Sequence, residues 1–408
     1  MNKKKKIQWV SAGILLCFLL FGCSGEKSMT VKSKVKLTLW HYWDIPRNQK
    51  QLNSLINQFN ESQDCIEIKT VYIPDEDFKK KLALAMAEGN TPDLALVDSS
   101  DFRFFHGMQP FVELTDQIPE LSFYMEQAIE PCEIDNKIYG QPFGVNCTAM
   151  FYNKRILEAA GCTPPQNWEE FKEVVEKVST RERNAFAIAA LQTEESMYSF
   201  LPILWSMGGE VTEINGEQSR KAFQMLGEMA EEGSLSRQSI SLTLSDVTNQ
   251  FVKGNIAIMF NNAMQIDCIR EKAPNMEFGV CPIPGETCQV SVLGGEILAV
   301  TDQENQEEAI KFLRFLADKH RMESYLDGMG LIAPRVDVME QQFQGDEWKE
   351  VFMKILPSAR LREMSEEWPQ ISLEISSALS QVIAGDEEIE SILENAEINI
   401  EKIREEQP

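Results

Sequence analysis

Residues 40–44 read Trp-His-Tyr-Trp-Asp, and Asp98 with Ser99 and Ser100 forms a second polar cluster further along the chain. Two tryptophans and a tyrosine beside carboxylates suit a pyranose, because its C–H faces stack on aromatic rings while carboxylates accept hydrogen bonds from its hydroxyls. The competing arrangement is packing, with one or both tryptophans, Trp43 in particular, lying under a sheet. His41 either hydrogen-bonds a ligand or packs, and packing is the simpler role. The chain has only three histidines, His41, His106 and His320, which gives metal or histidine acid–base chemistry little material. G-x-S-x-G, H-E-x-x-H and G-x-x-x-x-G-K-[ST] are all absent. No cofactor and no catalytic residue are expected.

The elements around these clusters follow from periodicity. Residues 34–39 alternate polar and apolar as a half-buried strand does. Leu52, Leu55, Ile56 and Phe59 recur at helical spacing, residues 66–72 are strand-like, and Phe78, Leu82, Ala85 and Met86 mark a second helical face. Gly89 and Pro92 end that helix, and residues 94–97 form a buried strand. This βαβαβ run predicts an α/β fold with a mainly parallel sheet and helices on both faces. In such a fold ligands bind at the carboxyl ends of strands, where both polar clusters fall. A second series begins near residue 130. Asp135, Asn136 and Lys137 form a turn, with Asn136 able to take a left-handed backbone. Residues 149–152 are strand-like, and Asn167 caps a helix whose apolar face carries Phe171, Val174, Val175 and Val178. Ile389, Ile392 and Leu393 place a surface helix in the acidic C-terminal region.

Length and charge narrow the class. At 408 residues the chain exceeds one ordinary core, so two lobes are expected. The N-terminus has four lysines followed by the apolar residues 7–21, a stretch too short for a standard membrane span, and it reads as a secretory leader. It closes on Leu20, Phe21, Gly22 and Cys23, which resembles a lipobox in which Cys23 is diacylated; an ordinary leader with a coincidental cysteine is the alternative. Residues 23–34 would then be the lipidated cysteine and a polar tether. The formal net charge of −25 falls to about −29 once the four lysines are removed. Such a surface repels phosphate backbones, so no nucleic-acid partner is expected. Removing Cys17 and Cys23 leaves seven cysteines without C-x-x-C spacing. A zinc site is not expected. Cys281 and Cys288 form either a disulfide or buried thiols.

Several stretches, taken in order, resemble the extracellular solute-binding proteins of carbohydrate ABC importers, relatives of maltose-binding protein. They are residues 39–44, 85–98 (AMAEGNTPDLALVD), 132–154, 161–171 (GCTPPQNWEEF), 251–262 (FVKGNIAIMFNN), 280–285 (VCPIPG), 293–300 (LGGEILAV), 309–316, 330–335 and 368–372. The resemblance runs from about residue 35 to the C-terminus. Asn136 stands where this block commonly carries Gly, and Asn261-Asn262 stands where many members carry a Gly-aromatic pair.

The resemblance implies a two-lobed fold with the ligand clamped between lobes. One lobe would comprise residues 35–146 and 299–329, the other residues 147–298 and 330–408. Hinges would lie near residues 147–152, 297–300 and 330–335. The implied contacts are Trp40, His41, Tyr42, Asp44 and Asp98 from the first lobe, and Tyr152 at a hinge. Trp205, Asn261, Asn262 and Trp368 would come from the second lobe. Gly294 and Gly295 would admit close backbone approach, and Glu296 and Arg335 would take hydroxyls. The implied protein is a monomer that captures a sugar, hands it to a permease and is lipid-anchored on the outer face of the bacterial plasma membrane. Two rivals stand beside this. A lipid-anchored glycoside hydrolase would use paired carboxylates, some of which are inevitable among 64 acidic residues. The same fold could also take a polyamine, an amino-acid derivative or a glycerophosphodiester. The aromatic strand ends favour sugar over phosphate, which wants Arg, Lys or helix N-termini.

Overall fold

In a computed structural model, residues 34–109, 111–285, 289–301, 304–385 and 387–405 are described. The leader, Cys23 and Cys288 lie outside these residues. The strands are β1 (Val35–His41), β2 (Ile66–Tyr72), β3 (Leu94–Asp98), β4 (Glu133–Ile134), β5 (Lys137–Ile138), β6 (Gly140–Asn153), β7 (Phe186–Ala187), β8 (Ile258–Asn262), β9 (Phe278–Cys281), β10 (Ser291–Val300) and β11 (Ala359–Leu361). Nine of them form one sheet in the order β2-β1-β3-β10-β6-β8-β7, with β11 on β10 and β9 on β6. The remaining pair, β4 and β5, is a hairpin closed by Asp135 and Asn136, both with positive φ.

Strand β1 pairs in parallel with β2 and β3, because the helices Pro46–Ser62 and Asp75–Glu88 return the chain over the sheet between them. Those helices bury Leu52, Leu55, Ile56 and Phe59, and Phe78, Leu82, Ala85 and Met86. Gly89 terminates the second in a left-handed conformation, φ 70°. β1 runs two residues beyond the expected 34–39, so Trp40 and His41 are ladder residues, opposite Val71 and Tyr72 of β2.

Two long strands join this half to the next. Residues 140–147 of β6 pair with β10, whereas residues 148–153 pair with β8 and β9. Residues 291–293 of β10 pair with β11, whereas residues 296–300 pair with β3. β10 therefore changes partner between Leu293 and Glu296, ahead of the boundary at 298/299 that the resemblance implied. A third strand-like crossing occurs where Val145 bridges Ile332. Each half has its own core. Leu37, Leu39, Phe59, Phe312 and Leu326 belong to one cluster, and Phe171, Phe186, Phe200, Phe223, Phe260 and Leu379 to another. Helix Ile389–Glu405 packs Ile392, Leu393, Ala396 and Ile400 into the second cluster. An ion-pair chain also links elements distant in sequence: Asp267 takes Arg47 at 2.7 Å and the buried Lys349 at 3.0 Å.

The β10 crossing is tight. Gly295 has φ 151°, and a Cβ there would lie 2.3 Å from the Gly144 carbonyl oxygen on the neighbouring strand. A side chain needs both a disfavoured backbone and a displaced strand. Gly295→Ala is expected to destabilise the protein by about 2 kcal/mol or more, measured by urea unfolding; a change below about 0.5 kcal/mol would show that the crossing yields freely.

Candidate functional site

A cleft of about 430 Å³ opens where β1 and β3 end beside the middle of β10, against the helices of the second half. This volume lies in the range of small-molecule sites. Tyr42, Trp43 and Asp44 reach it from the end of β1, Asp98 from the end of β3, and Gly295 and Glu296 from β10. Asp75, Glu76 and Lys79 come from helix Asp75–Glu88, and Glu194, Glu195 and Tyr198 from helix Glu194–Ser206. Both acidic pairs occupy first turns, where the positive end of the helix offsets their charge.

Asp98 and Glu296 stand directly opposite one another in the antiparallel ladder. Like charges so placed repel, and their surroundings answer that repulsion. Arg362, just past β11, sends Nη2 to Asp98 Oδ1 at 2.6 Å and Nη1 to Glu194 Oε1 at 2.8 Å, thereby bridging the two halves. Trp43 Nε1 donates to Glu296 Oε1 at 2.9 Å, and Trp368 Nε1 donates to Glu194 Oε1 at 2.9 Å. Ser100 donates from its amide and its hydroxyl to Asp98 Oδ1, each at 2.8 Å. Lys79 holds Asp101 at 2.8 Å.

Carboxylates withdrawn from water become reluctant to ionise. Burial, with Asp98 adding and the Trp43 hydrogen bond opposing, pushes Glu296 up to about 7. Burial pushes Glu195 up to about 8, against the Leu244 amide that donates to it. Burial also raises Asp101 to about 7 although Lys79 opposes, and raises Asp75, which keeps solvent contact within the cleft, to about 6. Arg362 remains a guanidinium. The site combines aromatic faces with an excess of hydrogen-bond acceptors, a composition for binding hydroxylated or cationic solutes.

Of the residues singled out in the sequence, Tyr42, Asp44, Asp98, Asn262, Gly295 and Glu296 line this cleft. Trp43, weighed as packing, both packs edge-on against Phe143 and faces the cleft. The others lie elsewhere. His41 shares the inward face of β1 with Leu37 and Leu39, is buried against Tyr72, and burial lowers its imidazole to about 4. Trp40, one residue out of phase, packs on the opposite side among the apolar neighbours of Phe78 and Phe102. Trp205 is buried beneath the Arg360 guanidinium. Trp368 is fully buried and serves Glu194 through its indole nitrogen instead of offering a face. Asn261 is buried and spends its amide on the Leu244 carbonyl and Thr248. Arg335 holds Asp337 and the Ala317 carbonyl. Tyr152 is a ladder residue opposite Gly279. Gly294 is closed off by Tyr198, whose ring would lie 2.5 Å from a Cβ, so its smallness serves packing.

Sequence reasoning missed Arg362, Glu194, Glu195, Tyr198, Asp75 and Lys79. Their surroundings carry no motif. Glu194-Glu195 reads as an ordinary helix start, Tyr198 as core in an apolar helix, and Arg362 as one more surface cation.

The raised carboxyls set the pH response of the unliganded protein. A carboxyl whose pKa is higher folded than unfolded stabilises most below its unfolded value, and that stability is lost as pH rises through the folded one. Glu296 and Asp101 at about 7 and Glu195 at about 8 make stability fall from about pH 4.5, where the unfolded carboxyls ionise, to about pH 8, above which this contribution is flat. His41, lowered to about 4, acts oppositely: its contribution is lost as pH drops below about 6.5. Because three raised carboxyls outweigh one histidine, the melting temperature is expected to fall from about pH 5 to pH 8, and to fall less steeply in Glu296→Gln. An unchanged slope in that variant would remove Glu296 from this account.

The bacterial extracellular solute-binding protein family model matches residues 54–351. A binding protein of Brucella abortus is 26% identical over 340 residues, covering 79% of this chain and 82% of its own length. The multiple sugar-binding protein of Streptococcus mutans is 20% identical over 343 residues, 79% of this chain and 81% of its own. The α-D-tagatose-bound solute-binding protein of Thermotoga lettingae superposes with a TM-score of 0.84 at 21% identity, covering 91% of this chain and 100% of that one, which shows the shared two-lobed fold. With the family model spanning most of its length over this fold, the chain belongs to the bacterial extracellular solute-binding proteins.

Proposed function

We propose that this protein captures a saccharide in the cleft between its halves and delivers it to an ABC-type importer without transforming it. The observation that carries this reading is the meeting of Tyr42, Trp43 and Tyr198 with carboxylates from both halves in one cleft. Aromatic faces desolvate the C–H surfaces of a pyranose while Glu296, Asp98 and Glu194 accept from its hydroxyls. A multiple sugar-binding relative and a tagatose-bound neighbour support a sugar class without fixing its length.

In this reading the lobes are residues 35–146 with the later part of β10 onward to residue 329, and residues 147–293 with 330–408. The hinges fall where β6 and β10 change partners and at the 331–332 crossing, because there a few backbone torsions can turn one lobe against the other. Arg362, reaching from the second lobe to Asp98 of the first, holds the closed form, and ligand contacts with both walls shift the population toward it. A permease reads that closed form. Cys23 carries the lipid that keeps the protein at the outer membrane face.

A thermal-shift screen of mono- and oligosaccharides, polyols, polyamines and glycerophosphodiesters tests the reading, with chromatography of each hit after incubation. A saccharide is expected to raise the melting temperature progressively, by about 2.7 kcal/mol of stabilisation at a hundredfold excess over Kd, and to be recovered intact. Cleavage would make the protein a glycoside hydrolase, and a shift with phosphodiesters alone would remove the carbohydrate assignment. For the anchor, Cys23→Ser is expected to move the protein from the membrane to the soluble fraction on cell fractionation; membrane retention would refute lipidation at Cys23.

A further inference from the structure

Five of the carboxylates lining the cleft, Asp44, Asp75, Glu76, Glu195 and Glu296, make no ion pair with lysine or arginine among the described residues. The two cleft cations are already engaged, Lys79 by Asp101 and Arg362 by Asp98 and Glu194. Independently of charge, buried acceptors facing the cleft lack donors. Glu296 is only 7% exposed, and its Oε2 has no hydrogen-bond partner; the same holds for Asn146 Oδ1, on a residue 3% exposed, and for Glu194 Oε2. The Tyr198 hydroxyl, on a residue 8% exposed, is also without a partner and can either donate to a ligand oxygen or accept from a ligand N–H or O–H. Buried acceptors without donors are costly, so they mark where a ligand supplies hydrogens.

We infer that the cleft selects a saccharide carrying a free, protonated amino group, an inference that rests on the carbohydrate reading above. An ammonium offers three donors and no acceptor, matching a wall of unfilled acceptors, whereas each neutral hydroxyl brings acceptor lone pairs with its single hydrogen. Its charge also favours the ionised form of Glu296 opposite Asp98 in the ladder, a form that burial and Asp98 disfavour and that a neutral sugar leaves disfavoured. The aromatic faces accommodate both parts of such a ligand, C–H surface and cation. Arg362 Nε is the opposite case, a buried donor without an acceptor, and a ring or hydroxyl oxygen satisfies it, so the wall asks for a sugar and not for a bare amine. The carboxylates are distributed round the cleft; among the described residues no three His, Cys, Asp or Glu side chains are placed to hold a metal ion. The strongly acidic surface draws a cationic solute toward the opening.

The test is calorimetric titration of the full chain with glucosamine, galactosamine, mannosamine and chitosan oligosaccharides of two to six units. Their N-acetylated forms, the matching neutral sugars and spermidine are titrated in parallel. At least one amino sugar is expected to bind about tenfold or more tightly than its acetylated and neutral counterparts, and Glu296→Gln is expected to erase most of that ratio. Equal or tighter binding of the neutral or acetylated forms overturns the inference while leaving saccharide capture intact. Binding of spermidine alone overturns both, and binding of none of these overturns the inference while the wider saccharide screen decides the carbohydrate reading. Should Glu296→Gln fail to fold, the ratio in the unaltered protein still decides.

Discussion

The Arg362 guanidinium sets the terms for the rest of the cleft. It is buried to within 2% of its side-chain surface and would be untenable there without two carboxylates. Asp98 and Glu194 supply them from opposite halves, and each is held in turn, Asp98 by Ser100 and Glu194 by Trp368. A residue that in sequence follows a three-residue strand thus ties two layers of helices and a sheet together at the place where a ligand would sit. Removing one partner leaves charge uncompensated in the interior, a far larger penalty than loss of a surface pair.

This arrangement also explains why the cleft tolerates so many acids. Helix first turns place Asp75, Glu76, Glu194 and Glu195 toward it, and the positive helix ends reduce the cost of their charge. Where burial outweighs such help the carboxyls hold their protons more tightly: Glu195, although in a helix first turn, is raised to about 8, and Glu296, on a strand, to about 7. The cleft is therefore an acceptor-rich surface whose charge a ligand can alter, framed by aromatic rings that are themselves fixed by polar contacts, as Trp43 is by Glu296.

The connections between the halves run along the strands. The largest clusters of the two halves are separate, a third packs Ala128 and Val145 against Cys147, Phe151 and Ile332 at the crossing, and β6 and β10 run from one half to the other and change partners on the way. A close approach at Gly295 and Gly144 fixes the local path of the crossing, and the ion pairs around Asp267 add a second tie. Solute capture by lobe closure needs this combination: stiff halves, few connections and polar contacts across the gap that can re-form.

The periodic elements were legible without coordinates because side-chain alternation is a local property. Leu52, Leu55, Ile56 and Phe59 declare a helix face, and Gly89 its end, whatever lies across from them. The end of β1 was misplaced by two residues, and that slip carried Trp40 and His41 into the site, since a strand sends successive side chains to opposite faces. Trp205, Trp368, Asn261 and Arg335 were chosen for side-chain chemistry that could serve a ligand equally well, but each found its partner within the protein. Composition can say that a tryptophan or an arginine is useful; it cannot say which group it meets. Asp98, Glu194, Glu296 and Arg362 lie in four separate stretches of the chain and converge only when parallel, antiparallel and crossing strands are assembled. The acidic balance and the α/β pattern were written in order along the chain, whereas the pairing of charges across the cleft is a long-range consequence of folding and has no local signature.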